Sequence, residues 1–368
     1  MRLPHCRAGR WAAVPALVVA ALLIVTACAP ASTGSGPPAK PAAPAADSAP
    51  APASSAGAAP AVQSAAPREV TLRLDWQVIG YHAPFWAALD QGYFAENGLD
   101  VKLFEGQGSA STLQLVSSGQ AQVGFVDAAV MAQGIQKGMD VRMVACMFQR
   151  NMFGILSPAD APLTKAEDLK GKTLSGVPSG AGEVMWPVLA RRVGMDADAI
   201  TMVSTDVPGK YAALMSRRVD GSFHQVPTDA LQFEANGFPV ERLLYADYGL
   251  DRLGTGIVVS NQTLKESPEM VRSLLAGLAK GWQYALDHPA EAAALSPKFF
   301  TSTLDASTLE KQWLATQAFQ RTERTRDRPL FWMDGQDWES TQNVLNEAGY
   351  LPEKRPVETY YTNEYLPS

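Results

Sequence analysis

Between residues 70 and 127 strand-like and helix-like segments alternate, punctuated by glycines, and that rhythm admits few architectures. Residues 70–74 read as a strand ending in Asp75-Trp76, and Pro84 sits where a helix over 84–91 begins, before Gly92 stops it. A strand over 100–104 leads into Gly106-Gln107-Gly108-Ser109, a glycine-rich turn that opens a helix over 110–118. A strand at 122–125, a helix at 128–137 and a strand at 141–146 continue the series. Strands alternating with helices predict an α/β fold built on a parallel or mixed sheet.

A second unit begins near Asn151. Thr164 with Glu167 three residues on reads as a capping box. A strand at 173–177, a glycine-rich turn, a helix containing Trp186, a strand at 199–203 and a helix opened by Pro208 follow. Ser267-Pro268-Glu269 starts a helix whose apolar residues from Val271 to Leu286 recur at three- and four-residue spacing. Further helices are expected over 305–320 and 337–348, the last closed by Gly349.

The N-terminus carries a different signal. Arg2, Arg7 and Arg10 precede an apolar run from Trp11 to Val25, too short for a permanent span, ending in Thr26-Ala27-Cys28. Residues 1–27 are expected to be a lipoprotein signal peptide, with cleavage before Cys28 and lipidation of its thiol. Residues 28–68 are rich in Ala, Pro and Ser, which cannot bury enough apolar surface to order, so a disordered tether is expected. The remaining ~300 residues exceed what one core usually serves and divide into lobes. We expect the first lobe at 69–150, the second at 151–255, and a return to the first at 256–368 with the C-terminal helices.

The order Asp75-Trp76, Gly80-Tyr81-His82, Pro84, Gly92-Tyr93-Phe94, Gly106-Gln107-Gly108, Gly124-Phe125-Val126-Asp127 and Asp168-Leu169-Lys170-Gly171 resembles the solute-binding proteins of ABC importers. The resembled group includes the SsuA, TauA and NMT1/THI5-like proteins. The resemblance implies a two-lobed periplasmic binding protein fold of type II, with a ligand cleft between the lobes. It also implies an ABC permease and ATPase as partners; the N-terminal signal, with no later run of about 20 apolar residues, leads us to expect an exported chain held to the membrane by its lipid alone. A monomer is expected.

Strand ends and helix starts line such a cleft. Candidate ligand contacts in the first lobe are Asp75, Trp76, His82, Gln107, Gly108, Ser109 and Asp127. Trp76 offers a face for stacking a ring and His82 a ring nitrogen. Ser109 either caps its helix or, with the free N–H groups of the first turn, meets the ligand; Asp127 is either an N-cap or an acceptor. Of Phe85 and Trp86, about 100° apart on their helix, at most one can face the ligand. In the second lobe the turn around Ser179, Gly182 and Glu183 is the counterpart, joined by His224; Glu183 would repel an anion there and favours a neutral or zwitterionic ligand. Tyr211 and Phe223 are weaker candidates.

The best reading of the ligand is a thiamine-pyrimidine-like or other flat heterocycle. Ile79 and Gly80 stand where the resembled pyrimidine binders often carry Asn, so a flavin, an aromatic carboxylate, a sulfonate or taurine stay open. The rivals in role are a pyrimidine synthase of the THI5-like group and a sensory module presenting its ligand to a receptor. The synthase depends on a cysteine-rich motif, and the 3 cysteines here include a single one, Cys146, in the folded part. No enzymatic function and no cofactor are expected. The 4 histidines lack metal-ligand spacing, so no metal is expected either. A net charge of -6 with mixed signs disfavours nucleic acid.

Overall fold

The computed structural model describes residues 66–178, 180 and 182–367. The expected signal peptide, Cys28 and nearly all of the tether lie outside the described residues, as does Ser179. Among the described residues ten strands form two five-stranded sheets. In chain order they are β1 (Arg68–Arg73), β2 (Leu99–Phe104), β3 (Val123–Asp127), β4 (Val141–Cys146), β5 (Phe153–Pro158), β6 (Thr173–Gly176), β7 (Thr201–Ser204), β8 (Gly221–Gln225), β9 (Val240–Leu244) and β10 (Thr255–Ser260).

The first sheet runs β2-β1-β3-β10-β4 and the second β7-β6-β8-β5-β9. In each, four strands run parallel to one another and the strand fourth in order is antiparallel to both neighbours. That fourth strand follows a crossing from the other sheet: β5 comes directly after β4, and β10 directly after β9. The two sheets therefore share one topology without a sequence repeat.

The crossings lie side by side. Gly254 N–H donates to Phe148 O at 2.8 Å, and Phe148 N–H to Thr255 O at 3.1 Å. A Cβ at Gly254 would stand 2.9 Å from Phe148 O, so only glycine permits this approach. Asn151 adds N–H to Asp251 Oδ1 at 2.9 Å and its side-chain amide to Leu250 O at 2.7 Å.

The helices of the first half fall within a residue or two of their expected bounds, as Ala83–Asp90, Ser109–Ser117 and Ala128–Gln136. The expected capping box at Thr164 is displaced by one residue: Asp168, not Glu167, accepts from Thr164 N and Lys165 N at 3.1 and 3.0 Å. The Pro268–Asp287 helix buries Val271, Leu274, Leu278 and Trp282 against the Ala83–Asp90 helix. Phe85, Phe125, Phe148, Trp282, Trp313 and Phe331 interlock in tilted and edge-to-face pairs in the core beside the first sheet. Rings in this geometry gain ~0.5–1.5 kcal/mol per pair beyond burial. The Ala306–Thr316 helix packs on Gly80–His82 and on the Val226–Ala235 helix, thus touching elements of both halves. Gly349 ends the Gly335–Glu347 helix region with φ 76°. No helix among the described residues is long and apolar enough to cross a membrane.

Candidate functional site

A cavity of about 160 Å³ opens between the carboxyl end of β1 with its neighbouring turns and the ends of β6 and β8. The glycine-rich turn is shaped by steric need. A Cβ at Gly106 would lie 2.0 Å from Leu74 O, and Gly108 holds φ 117°, so both positions require glycine. The N–H of Gly106 donates to Trp76 O at 3.0 Å and that of Gly108 to Asp75 O at 2.9 Å. These two amides are thus spent on pinning Asp75 and Trp76 at the cavity rather than left for an anion.

Asp75 is buried, with Tyr81 O–H donating to Oδ2 at 2.8 Å and His82 Nε2 2.9 Å from Oδ1. Ile79 N–H points at His82 Nδ1 at 3.4 Å, which makes Nδ1 the acceptor and Nε2 the donor. Burial and the neighbouring Asp75 hold the Tyr81 phenol well above its ordinary range, so it stays a donor. Gln107, Gly108 and Ser109 line the same wall, with Trp76 and Ile79.

Three candidates from the sequence are placed elsewhere. His82 does not line the cavity; fully buried, it orients Asp75 from behind. Asp127 is an N-cap: its Oδ1 accepts from Ala129 N at 2.9 Å, and its Oδ2 lies 2.9 Å from Arg252 Nη1 with both side chains buried. Gly182 sits against Phe153 and Phe223, where a Cβ would be in ordinary contact, and it does not line the cavity. Phe85 and Trp86 both face the core, Trp86 donating its indole N–H to Ala292 O. Ser109 lines the cavity without capping its own helix, since its Oγ accepts from Asp127 N at 3.0 Å.

From the second sheet, Glu183 reaches the cavity while its Oε1 accepts Val177 N–H at 2.6 Å. A Cβ at Gly176 would stand 2.6 Å from Glu183, so the glycine makes room for this carboxylate. Burial pushes the Glu183 carboxyl up, opposed by the Lys210 ammonium.

His224 heads a buried chain: Nδ1 lies 2.6 Å from Asp229 Oδ2 and Nε2 2.5 Å from Ser222 Oγ. A carboxylate only accepts, so Nδ1 carries the proton and Ser222 donates to Nε2. Burial and the Lys210 charge lower the His224 pKa to about 4 despite Asp229, so the imidazole is neutral. Burial works against ionised Asp229, yet His224, Lys210 and Tyr211 together hold its carboxyl below the usual range. The Ser-His-Asp order does not make a nucleophile, because Ser222 is fully buried and does not line the cavity.

Lys210 and Asp229 escaped the sequence reading. Lys210 lies within the Val207–Met215 helix, where a lysine ordinarily faces water, yet it is 6% exposed. Its Nζ stands 5.7 Å from the Trp76 ring and 5.5 Å from the Tyr211 ring. Asp229, two residues after Pro227 at a helix start, is the one that had a usable signal, its place in the segment from His224.

The cavity thus holds three carboxylates, Asp75, Glu183 and Asp229, against one ammonium, Lys210. The buried side-chain amide oxygen of Gln225, another lining residue, has no hydrogen-bond partner among the described residues. Trp76, Phe153 and Phe223 supply flat apolar walls. Such a lining accepts hydrogen bonds and repels anions. Among the described residues no cluster of His, Cys, Asp and Glu could hold a metal ion.

Comparison with known proteins bears on the fold and the family of the chain. The chain is 29% identical over 307 residues to a riboflavin-binding protein of Chloroflexus aurantiacus, covering 82% of this chain and 86% of the relative. It is 24% identical over 311 residues to a 4-amino-5-hydroxymethyl-2-methylpyrimidine phosphate synthase of Saccharomyces cerevisiae, covering 81% and 88%. The alkanesulfonate-binding protein SsuA of Xanthomonas axonopodis, solved bound to MOPS, superposes with a TM-score of 0.64 at 16% identity over 81% of this chain and 99% of that one. The two-lobed fold of periplasmic binding proteins is therefore the fold of this chain. The family model described as NMT1/THI5 like matches residues 79–292, more than half of the sequence, and the chain belongs to that family.

Proposed function

We propose that this protein is the extracytoplasmic solute-binding component of an ABC importer, and that its cleft takes a single-ring heterocycle rich in N–H donors, of aminopyrimidine type. The observation that carries this is the cavity itself: its lining brings together three carboxylates, an amide oxygen without a partner among the described residues, the Trp76 ring and one ammonium. N–H groups of an aminopyrimidine would satisfy those acceptors while its ring stacks on Trp76. The size agrees, since a cavity of about 150 Å³ holds one benzene ring, and this one measures about 160 Å³. A riboflavin-sized ligand would require the lobes to part further. Sulfonate, taurine and aromatic carboxylate are disfavoured by the carboxylates, although the fold is shared with a sulfonate binder.

In this reading residues 69–150 and 256–368 form one lobe and 151–255 the other, with the paired crossings as hinge. A permease and an ATPase receive the ligand, and lipid on Cys28 keeps the protein at the outer face of the cell membrane. Binding rather than synthesis is supported by the thiol inventory. Cys146 is fully buried, away from the cavity, and its thiol pKa is raised by burial.

A thermal-shift screen of the purified protein tests this. A thiamine-type pyrimidine should raise the melting temperature, and about 2.7 kcal/mol is gained at a hundred times Kd. Stabilisation by riboflavin alone would move the proposal to a larger ring. Stabilisation by taurine or alkanesulfonates alone, or turnover of a candidate precursor into a pyrimidine, would overturn it.

A further inference from the structure

A second cavity, about 720 Å³, is lined by both crossings, by residues 318–326 and by the Gly335–Glu347 helix, and shares no lining residue with the ligand cavity. Its charged groups are five guanidiniums, Arg150, Arg252, Arg321, Arg324 and Arg326, against three carboxylates, Asp251, Glu323 and Asp337. Arg252 is already paired with the buried Asp127, so the remaining groups leave an excess of one positive charge on a chain whose net charge is -6.

The arginines are held in place. Arg150 Nε lies 3.0 Å from Asp251 Oδ2, which joins one crossing to the other. Arg324 Nη1 lies 2.6 Å from Asp337 Oδ1, and Arg326 is 3.8 Å from Glu323. Arg321 differs: its Nη1 donates to the carbonyls of Thr325 at 2.7 Å and Arg328 at 2.6 Å, and it has no carboxylate partner among the described residues. Backbone carbonyls, that of Arg326 at 3.2 Å included, fix its orientation without supplying the counter-charge of a carboxylate. A rigid guanidinium fork of this kind matches an oxyanion in bidentate fashion.

We propose that this cavity is a second binding site, for a small multivalent oxyanion, with Arg321 as its principal contact and Arg150 and Arg324 beside it. Arg150 and Asp251 lie on different crossings, so an anion shared by Arg150 and Arg321 braces the hinge to residues 318–326. Occupancy is therefore coupled to lobe movement, and by linkage the anion and the cleft ligand alter one another's affinity by the same factor. The site does not depend on which solute the cleft takes.

Calorimetric titration of inorganic phosphate and of citrate into the purified protein at constant ionic strength is the test. One saturable site per chain is expected for at least one of the two. Arg150→Gln and Arg321→Gln should each weaken it about tenfold or more, as loss of a charge-assisted bond implies. Arg272→Gln, exposed on the Pro268–Asp287 helix, should leave it unchanged. Circular dichroism checks folding, and if Arg321→Gln does not fold, Arg150→Gln and Arg321→Lys decide. The absence of saturable heat up to about 10 mM of either anion would overturn the proposal. So would equal weakening by Arg272→Gln, or loss on Lys210→Met with Arg150→Gln unaffected, which would put the anion in the cleft.

Discussion

Gln312 ties the two halves of the molecule, and removing its amide should separate two effects that are usually entangled. It is fully buried on the Ala306–Thr316 helix. Its Oε1 accepts Gly80 N–H at 2.8 Å and its Nε2 donates to Thr228 O at 2.9 Å. Gly80 must be glycine, because a Cβ there would lie 2.0 Å from Leu309 O. Gln312→Leu keeps the volume and deletes both bonds. The Gly80 N–H is packed against this helix whether the cleft is open or closed, so its loss lowers global stability by about 1–3 kcal/mol. The Thr228 carbonyl lies across the cleft and regains water when the lobes part. Its loss therefore penalises only the closed state by a similar amount, and apparent ligand affinity should fall by roughly 5- to 150-fold. Denaturant unfolding measures the first effect; amide exchange over the Val226–Ala235 helix and titration with a cleft ligand measure the second. Unchanged exchange and affinity alongside a clear loss of stability would refute the tie between halves.

Three further outcomes follow from the site. Because the His224 pKa is lowered to about 4, the unfolded chain binds a proton that the folded chain refuses between pH ~6.5 and ~4. Stability should therefore fall by up to about 3 kcal/mol as pH drops through that window. His224→Gln should remove this part of the pH dependence, seen by urea titration at each pH, leaving the opposing contribution of Glu183, whose raised carboxyl takes up its proton early. Asp127→Asn keeps the N-cap oxygen but removes the charge facing Arg252, at a cost of roughly 3 kcal/mol of unfolding free energy, whereas a ligand role for Asp127 would leave stability nearly unchanged. Trp76→Ala should weaken the cleft ligand by about 1–3 kcal/mol, the range of ring stacking on an aromatic side chain, while moving the melting temperature little.

Strands β1 to β4 of the first sheet were legible because their parts obey local rules, whereas β10, which lies between β3 and β4, was not read as a strand. Pro84 at a helix start, Gly92 in the left-handed region, and buried apolar strands such as Val123–Asp127 all announce themselves. Strands β5, β8 and β9 were not, and β8 shows why. Ser222 and His224 are buried there because they bond to each other, so polar residues occupy core positions and the apolar alternation is lost. The same cause hid half the site. Lys210 and Asp229 have meaning only through partners far away in sequence or on another helix face, and a lysine in a short helix carries no mark of burial. Trp76, Gln107, Gly108 and Ser109 are expected at the cleft from the strand–turn–helix order taken together with the resemblance to solute-binding proteins. Asp127 and His82 occupy comparable positions, yet Arg252 and Asp75 claim them, and neither pairing is visible without the fold.

The charge of the cleft is the point on which the account rests. Titration calorimetry with two ligands on one ring, 4-amino-5-hydroxymethyl-2-methylpyrimidine and its 4-carboxylate analogue, addresses it directly. Three carboxylates about one ammonium predict that the amine binds and that the carboxylate binds about a hundredfold more weakly or not at all, since like charge in a desolvated site costs several kcal/mol. Equal or tighter binding of the carboxylate would contradict the account and make Lys210 the dominant ligand contact.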